Sequence, residues 1–487
     1  MRLDEVIARL SPPPAGWEGA GTLDLAGVTA DSRRVAPGML FAAIPGSRAD
    51  GRDFIADAVA RGASAVLAPS GTAWPDGVPA RPLLADPEPR RRLAQFAGVF
   101  AGSQPATMVA VTGTNGKTST VEFLRQIWAA GGTAAASLGT LGVTAPGFPP
   151  GPGLTTPDPE TLAATLAALA RAGVRCAAME ASSHGLDQFR LDGVRLAAAG
   201  FTNLTRDHLD YHGTEAAYRD AKLRLFAELL PTGAPAVASA DMDAETLAAL
   251  GVIAVQRHLD LRTVGEGGDA LRLIASRPLP DGQALEVEAG GARRAIHLPL
   301  PGRFQADNAL LAAALAMALG EADALDRLPM LRGVRGRMEL AARLANGACA
   351  YVDYAHTPDA LERLLRALRP HAAGRLHVVF GAGGNRDPGK RPMMGAAAAR
   401  YADAAIVTDD NPRDEDPAAI RAAILAACPD AREIGDRARA IAAALEDLRA
   451  GDVLAVAGKG HEQGQTIGAR VVPFDDVGVV RFLVGAS

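Results

Sequence analysis

The sequence predicts an α/β protein of three domains: a small α/β unit, a central P-loop domain with a mostly parallel sheet, and a Rossmann-like C-terminal domain. Three observations carry this. The chain has 487 residues, and at roughly 150 residues per domain it holds about three, each able to bury its own core. Apolar runs of strand length alternate with Ala- and Leu-rich runs of helix length, which is the rhythm of βαβ units. Breaks at Gln104-Pro105 and in the glycine-rich stretch LRGVRGRMEL (331–340) divide the chain into 1–104, 105–333 and 334–487.

The elements follow in order. LFAAI (40–44) reads as a strand, and FIADAVARGASAVLA (54–68) as a helix running into a second strand. ATMVAVTG (106–113) is a buried strand leading through a Gly turn to a helix near Lys117, with Ser and Thr in its first turn. TLAATLAALARAGV (161–174) reads as helix, CAAMEA (176–181) and AAAGFTNL (197–204) as strands. Residues 268–299 change character to short antiparallel strands separated by PDG and GG turns. NALLAAALAMALG (308–320) is a buried helix. CAYVDYA, LHVVFGAGG, AAIVTDD and DVLAVAGKG, each but the last followed by a helix, then give a doubly wound third domain.

Composition excludes several classes. Hydrophobic residues at 48% and charged residues at 22% are inconsistent with a largely disordered chain. A net charge of −5 is too near balance for a protein built to grip a nucleic-acid backbone. The three cysteines, Cys176, Cys349 and Cys428, form no CxxC pair, which argues against a disulfide framework or a thiolate zinc site. The most apolar helical stretch, 310–319, falls short of the roughly 20 residues a bilayer needs. The N-terminus carries acids where a signal peptide needs an apolar core. A soluble cytoplasmic protein is expected. Of 50 basic residues only four are lysine: Lys117, Lys222, Lys390 and Lys459. In so Arg-biased a chain, these four are candidates for work that a planar, always-charged guanidinium cannot do.

VAVTGTNGKTST (109–120) is the sharpest local signal. Gly113, Thr114, Asn115 and Gly116 form a loop whose backbone N–H groups can turn to a polyphosphate. Lys117 adds a point charge, the helix start at Thr118 and Ser119 adds its dipole, and the Thr118 hydroxyl suits a magnesium ion. The loop is shorter than GxxxxGK[ST], because position 111 is Val. Nucleoside triphosphate binding follows, but P-loops serve kinases, hydrolases, motors and ligases alike. Glu180 ends one strand, Asp207, His208, Asp210 and His212 follow the next, and Lys222 lies on a helix after them. A carboxylate, a histidine and the P-loop Thr at neighbouring strand ends could hold hard cations near the phosphates. Singly, each also reads as a structural hydrogen-bonding residue.

Together these segments resemble the Mur ligase family of ATP-dependent, amide-forming enzymes of peptidoglycan synthesis, over nearly the whole chain. GTNGKT is similar to that family's shortened P-loop, and GRFQADN (302–308) to its adenine-side motif, with Gln305 where Asn is more usual. GRMEL (336–340) and VDYAHTPDAL (352–361) look like the segments that close on the nucleotide. The resemblance implies nucleotide contacts at Asn308, Arg337, Asp353 and His356. It implies a catalytic set of Lys117, Glu180, His208 and Lys222, with Mg2+ held by Thr118, Glu180, His208 and a Lys222 carbamylated by CO2. Arginine cannot form a carbamate, which needs a free neutral amine; a salt-bridged surface lysine is the plainer alternative.

Within the family, three features resemble the branch that adds diaminopimelate to UDP-N-acetylmuramoyl-alanyl-glutamate. TADSRRVAPGMLFAAIPGSRADGRDF (29–54) looks like its UDP-binding domain, implying contacts from Ser32, Ser47, Arg48 and Ala49. TTPDP (155–159) with MEASSHGLDQFR (179–190) implies that Thr155, Thr156, Ser182, Gln188 and Arg190 hold the muramoyl dipeptide. GNRDPGKRP (384–392) and DDNPR (409–413) form the third, with Asp410, Asn411, Pro412 and Arg413 as the branch's tetrapeptide. Arg413 and Arg386 can offer forked donors to the extra carboxylate of diaminopimelate. Gly458 and Glu462 match positions meeting its distal end, where Glu462 could hold the ammonium.

The implied chemistry is acyl-phosphate formation from ATP followed by attack of the diaminopimelate amine. Domain closure is expected, because the P-loop and the amino-acid segments lie on different domains. No nucleic acid or membrane partner is expected, and a monomer is. Two other readings stay open at this level: a folylpolyglutamate synthetase or other Mur ligase, and a P-loop switch or dinucleotide-binding regulator suggested by GAGGNR (381–386). In that cluster Arg386 stands where GxGxxG needs its last Gly.

Overall fold

The structure is a computed structural model and describes residues 1–10, 12–46, 49–148, 154–205 and 207–485. The chain divides into two compact units, one of residues 1–263 with 311–322 and one of 264–310 with 323–487. The alternation read from the sequence is present in both.

The first unit opens with four parallel strands in sequential order, β1 (Gly27–Thr29), β2 (Met39–Ala42), β3 (Ala65–Pro69) and β4 (Leu83–Asp86). One face packs Leu40, Leu67 and Leu84 against Phe96 of the Pro89–Ala101 helix. The other packs Phe41 and Val66 against Ile55 and Val59. Both faces are covered, so the central strands β2 and β3 are apolar throughout rather than alternating.

A second sheet follows, built from β5 (Thr107–Thr112), β6 (Ala135–Gly139), β7 (Gly142–Thr144), β8 (Cys176–Glu180), β9 (Ala198–Phe201), β10 (Pro235–Ser239) and β11 (Asp260–Gly265). Its order is β11-β10-β9-β5-β8-β6-β7. β5 lies between β8 and β9, parallel to both, with Val111 opposite Glu180 and Gly200. The chain leaves β5 for β6, two positions away, then returns to β8 between them. Ligands of parallel sheets collect at the carboxyl ends of strands where the order reverses in this way. The P-loop, Glu180 and Thr202–Asn203 leave the ends of β5, β8 and β9.

The second unit begins with an antiparallel meander, β12 (Leu271–Leu279), β13 (Gly282–Ala289) and β14 (Ala292–Leu298), as the PDG and GG turns predict. Next come β15 (Glu339–Arg343), β16 (Cys349–Asp353), β17 (Leu376–Phe380), β18 (Ala404–Val407), β19 (Arg432–Glu433) and β20 (Val453–Ala457), ordered β15-β16-β20-β17-β18-β19. All but β15 are parallel. Leu361, Leu365, Met394 and Ile424 cover one face; Ile441, Leu445, Val477 and Val480 cover the other. A hairpin of β21 (Gly464–Ile467) and β22 (Arg470–Pro473), which the sequence rhythm did not disclose, follows the β20 loop.

The helix expected from residue 308 starts at Arg303 and runs to Ala318, so most of GRFQADN is helical. Pro301-Gly302 ends the preceding coil, and Gly302 takes a positive φ of 84°. Apolar density marks the middle of this helix, whereas its first turn is polar and hid the true start. Among the described residues no helix is long and apolar enough to cross a membrane.

Candidate active site

β5 delivers the chain into Gly113, whose φ is 138° and whose added Cβ would lie 1.9 Å from Thr202 Oγ1. Only glycine fits both the backbone angle and the space. The loop is then pinned from β9: Thr114 N–H donates to Asn203 O (2.8 Å), Asn115 N–H to Asn203 Oδ1 (3.0 Å), and Thr202 Oγ1 to Asn115 O (2.6 Å). The Lys117–Ala130 helix begins after Gly116 with no side chain capping its N-terminus. An uncapped first turn presents N–H groups and the positive end of the helix dipole to an anion.

Lys117 Nζ folds back onto the loop, donating to the carbonyls of Gly113 and Thr114 at 2.9 Å each. Burial pulls its pKa down, opposed by the charges of Glu180 and Asp207. Lys222, on the Glu215–Arg224 helix, is buried; its Nζ donates to Gly113 O at 2.8 Å and lies 4.4 Å from the Tyr218 ring centroid. Burial first, and then the neighbouring Lys117 charge, bring the Lys222 pKa down to about 6. Its burial does not fit the surface salt-bridge alternative.

Glu180 is buried at the end of β8 and receives three donors: Thr118 Oγ1 (2.9 Å) and Thr140 N–H (2.9 Å) on Oε1, and Thr140 Oγ1 (3.3 Å) on Oε2. Gly139 makes room for this carboxylate, since a Cβ there would come 2.0 Å from Oε1. Burial raises the Glu180 pKa, with Thr140 N–H and the Lys117 charge pulling it back. Thr118 and Glu180 are thus brought together as the sequence suggested. His208 makes its contacts with other residues. It has a positive φ of 52°, its Nε2 lies 3.6 Å from Asp207 Oδ2, and its ring meets His184 edge-on at 5.1 Å. Ser119 lies on the first turn of the P-loop helix.

The expected dipeptide residues converge. Thr156 Oγ1 donates to Glu180 O (3.0 Å) and accepts from Ser182 N–H and Ser182 Oγ, both at 3.0 Å. Arg190 Nη1 donates to Thr156 O (2.6 Å) and Nη2 to Gln188 Oε1 (2.7 Å). Thr155 meets Thr140 hydroxyl to hydroxyl at 3.0 Å. Sequence reasoning missed Thr140 and Tyr211. Tyr211 receives a bond from Gln188 Nε2 (3.2 Å) and donates to Asp187 Oδ2 (2.7 Å). The signal for Thr140 was its place just after a strand; for Tyr211 it was its place between His208 and His212.

In the small N-terminal sheet, Asp31 accepts from Arg33 N–H and starts the turn that carries Ser32, which is buried. Glu160 reaches this turn, accepting from Ala30 N–H (2.6 Å) and Thr29 Oγ1 (3.0 Å). Ala49 lies on the same sheet's loop as Gly46, whose N–H donates to Ala49 O (2.9 Å). Ser47 and Arg48 lie outside the described residues.

In the second unit, Asn308 Nδ2 donates to Gln305 Oε1 (3.2 Å), and both side chains are buried. Asp353 is half-buried at the end of β16 and accepts from Met338 N–H (2.7 Å) and Ala355 N–H (2.8 Å), joining the GRMEL and VDYAHT segments. Burial raises its pKa. Arg337 lies 5.4 Å from the Tyr354 ring centroid, His356 Nδ1 is 2.9 Å from Tyr354 O, and Lys390 Nζ donates to His356 O (3.1 Å).

The tetrapeptide follows β18. Asp410, Asn411 and Pro412 are buried, and Arg413 takes a positive φ of 52°. Arg413 Nη1 donates to Gly384 O (2.7 Å), and a Cβ on Gly383 would lie 2.9 Å from Arg413 Nη1 and 4.0 Å from Arg386 Cγ. The two arginines thus flank one glycine. Asn411 Nδ2 donates to Glu462 Oε2 at 2.9 Å, and Gly458 begins the loop that carries Glu462.

Known proteins are similar to this chain over nearly its whole length. Residues 24–98 match the catalytic domain of the Mur ligase family, residues 111–316 the Mur ligase middle domain, and residues 336–460 the Mur ligase glutamate ligase domain. A protein of Caulobacter vibrioides named UDP-N-acetylmuramoyl-L-alanyl-D-glutamate–2,6-diaminopimelate ligase is 57% identical over 461 residues, covering 93% of this chain and 94% of its own. One of the same name from Rhizobium meliloti is 55% identical, covering 96% and 95%. A solved structure of a ligase of that name superposes with a TM-score of 0.79 at 33% identity, covering 100% of this chain and 99% of its own. The chain belongs to the Mur ligase family.

Proposed function

We propose that this chain is the ATP-dependent ligase that joins meso-diaminopimelate to UDP-N-acetylmuramoyl-L-alanyl-D-glutamate, a cytoplasmic step in making the peptidoglycan precursor and so in cell-wall growth, shape and division. The observation that carries the amino-acid choice is the gathering of Arg413, Arg386, Asn411 and Glu462 beyond the carboxyl ends of one sheet. Such a set offers guanidinium forks for two carboxylates and a carboxylate for an ammonium. The relatives' names support the same substrates. In this reading residues 1–104 bind the UDP part, 105–333 bind ATP and 334–487 bind the amino acid.

The chemistry has two steps. A glutamate side-chain carboxylate oxygen attacks the ATP γ-phosphorus, the bond to the β-bridging oxygen breaks, and ADP leaves with an acyl phosphate formed. The neutral diaminopimelate amine then attacks the acyl carbon, inorganic phosphate leaves, and the nitrogen gives up a proton. Phosphorylation is needed because a free carboxylate has only oxide to expel. The first step gathers a carboxylate and two phosphates, so positive charge must offset their repulsion. Lys117, Thr114–Thr118 backbone N–H groups and the helix dipole supply part of it. Ser182, Thr156 and Arg190 orient the dipeptide, while Asn308, Arg337, Asp353 and His356 serve the nucleotide.

Magnesium fits the same place. The donors there are hard oxygens, the Thr118 hydroxyl and the buried Glu180 carboxylate, and neutral Lys222 can become an anionic carbamate. Thr118, Glu180, carbamylated Lys222 and His208 would hold it. When bound, the ion supplies charge neutralisation at the transferring phosphoryl group.

Isotope transfer tests the reading. With both glutamate side-chain carboxylate oxygens labelled with 18O, one label should appear in the released phosphate and the nucleotide product should gain the mass of one diaminopimelyl residue. Unlabelled phosphate would exclude the acyl-phosphate route.

A further inference from the structure

Lys459 is fully buried, in a chain that places arginine at 46 of its 50 basic positions. It follows β20 through Gly458, three residues before Glu462. Its Nζ donates to Asn411 Oδ1 at 2.9 Å and to Gly464 O at 2.8 Å. It also lies 3.4 Å from Asp410 Oδ1 and 3.7 Å from Glu462 Oε2.

Asn411 Oδ1 receives a second donor, Thr466 N–H, at 2.9 Å. Two donors on that atom require it to be the amide oxygen, because an NH2 group accepts neither. The amide nitrogen must then point the other way, and there it donates to Glu462 Oε2 at 2.9 Å. Lys459 therefore fixes which way Asn411 faces, and Asn411 fixes the Glu462 carboxylate. Gln465 Nε2 on Asp410 O (2.7 Å) and Arg413 N–H on Thr466 O (3.1 Å) hold the same segment against β21.

Buried charges surround this chain of contacts. Arg437 is fully buried against Asp476, with Nε–Oδ1 2.8 Å and Nη2–Oδ2 2.7 Å. Lys459 and Arg437 thus face three carboxylates, Asp410, Glu462 and Asp476. Asp410 Oδ1 is buried with no hydrogen-bond partner among the described residues. Of the three, Glu462 is the most exposed and is the carboxylate open to a substrate ammonium.

We infer that Lys459 is a positioning residue for the incoming amino acid, setting Asn411 and Glu462 to receive the distal ammonium of a diamino acid. This rests on the proposed assignment of Asn411, Arg413 and Glu462 to the amino-acid substrate. Its test is steady-state kinetics of the full-length protein carrying Lys459→Met, Asn411→Ala, both together, Asn411→Asp or Arg413→Ala, with KM measured for diaminopimelate, ATP and the nucleotide sugar.

Lys459→Met should raise KM for diaminopimelate at least tenfold and leave the other two within about twofold. The double variant should be no worse than the poorer single one, because both changes break one chain of contacts. Additive effects, or an equal rise in all three KM values, would overturn the inference. Should Lys459→Met fail to fold, Asn411→Asp decides: it keeps an acceptor for Lys459 but sets oxygen against Glu462. It too should raise KM for diaminopimelate selectively, and an unchanged value overturns the inference. Arg413→Ala separates the two levels. A selective rise there without one in Lys459→Met sinks only the role of Lys459, whereas no rise in Arg413→Ala sinks the amino-acid site itself.

Discussion

Lys117 and Lys222 donate to one acceptor, the Gly113 carbonyl oxygen, at 2.9 and 2.8 Å. Burial disfavours the charged form of both amines and lowers both pKa values. At Lys222 the neighbouring Lys117 charge adds to burial and brings the pKa down to about 6. Its folded-state value lies below that of an unfolded lysine. Between the two values the unfolded chain binds more protons, so this residue's cost to stability shrinks as pH rises.

The neutral amine is the form that reacts with CO2, and the lowered pKa of Lys222 favours it. Protein incubated with 13C-bicarbonate at pH 7.5 should show one carbamate carbon signal by NMR, missing in Lys222→Arg. The signal should fade as pH falls toward 6, where the amine takes up a proton. A wild-type spectrum with no carbamate, under conditions that support turnover, would remove the modification from this account.

Lys117→Ala removes the point charge that the proposed function sets beside the phosphates, without disturbing the pins from Thr202 and Asn203 that hold the loop. Phosphate release should fall on the order of 10²–10³-fold, the size expected when one stabilising donor of a transition state is lost. The melting temperature should stay within a few degrees. Turnover within tenfold of the parent would contradict the P-loop assignment.

Glu160 joins the turn bearing Ser32 to the helix that follows Thr155 and Thr156, through Ala30 N–H and Thr29 Oγ1. Both ends of that link are assigned to one substrate, the UDP part and the dipeptide part. Glu160→Ala should raise KM for the nucleotide sugar roughly tenfold or more, since each bond to a charged acceptor contributes about 1.5 kcal/mol. KM for ATP should not move, and Glu160→Gln, which keeps an acceptor for Ala30, should fall between. Equal rises for both substrates would mark a general loss of folding instead.

His371 is buried and accepts from Gly302 N–H on Nε2 (2.8 Å), while its Nδ1 lies 2.8 Å from Leu279 O. Only the neutral ring with its proton on Nδ1 satisfies both. Gln283 Nε2 joins it by donating to Leu300 O (2.9 Å) and Gly302 O (2.7 Å), so two buried side chains hold the start of the helix with Gln305 and Asn308. Burial lowers the His371 pKa below its ordinary 6.5. Its stabilising effect is complete above the unfolded value and is lost as pH falls from there through the folded one. Nitrogen-15 NMR should find the Nδ1-protonated neutral ring at pH 6.5; a ring half charged at that pH would refute the arrangement.

The parallel sheets and the P-loop were legible because their signals are local. Thr107–Thr112 has a continuous apolar run at Met108–Val111, and glycine, lysine and threonine follow at fixed spacing. The resemblance extended this to Glu180, Thr156, Ser182 and Arg190, which do converge. What stayed hidden was held from afar. Glu160 acts on a turn 130 residues upstream, and Lys459 on an asparagine 48 residues away. Neither bond leaves a periodicity or spacing to read. The start of the Arg303–Ala318 helix was missed because its first turn is polar and fixed by His371 and Gln283, whose positions no local pattern discloses.

The most direct test of the central claim is phosphate release from ATP with the UDP-muramoyl dipeptide present and either meso-diaminopimelate or L-lysine added. The account predicts release that needs the nucleotide sugar and diaminopimelate together, with L-lysine giving little above background. Equal or better release with L-lysine would contradict the carboxylate-reading role of Arg413 and Arg386, and release indifferent to both substrates would contradict the ligase reading as a whole.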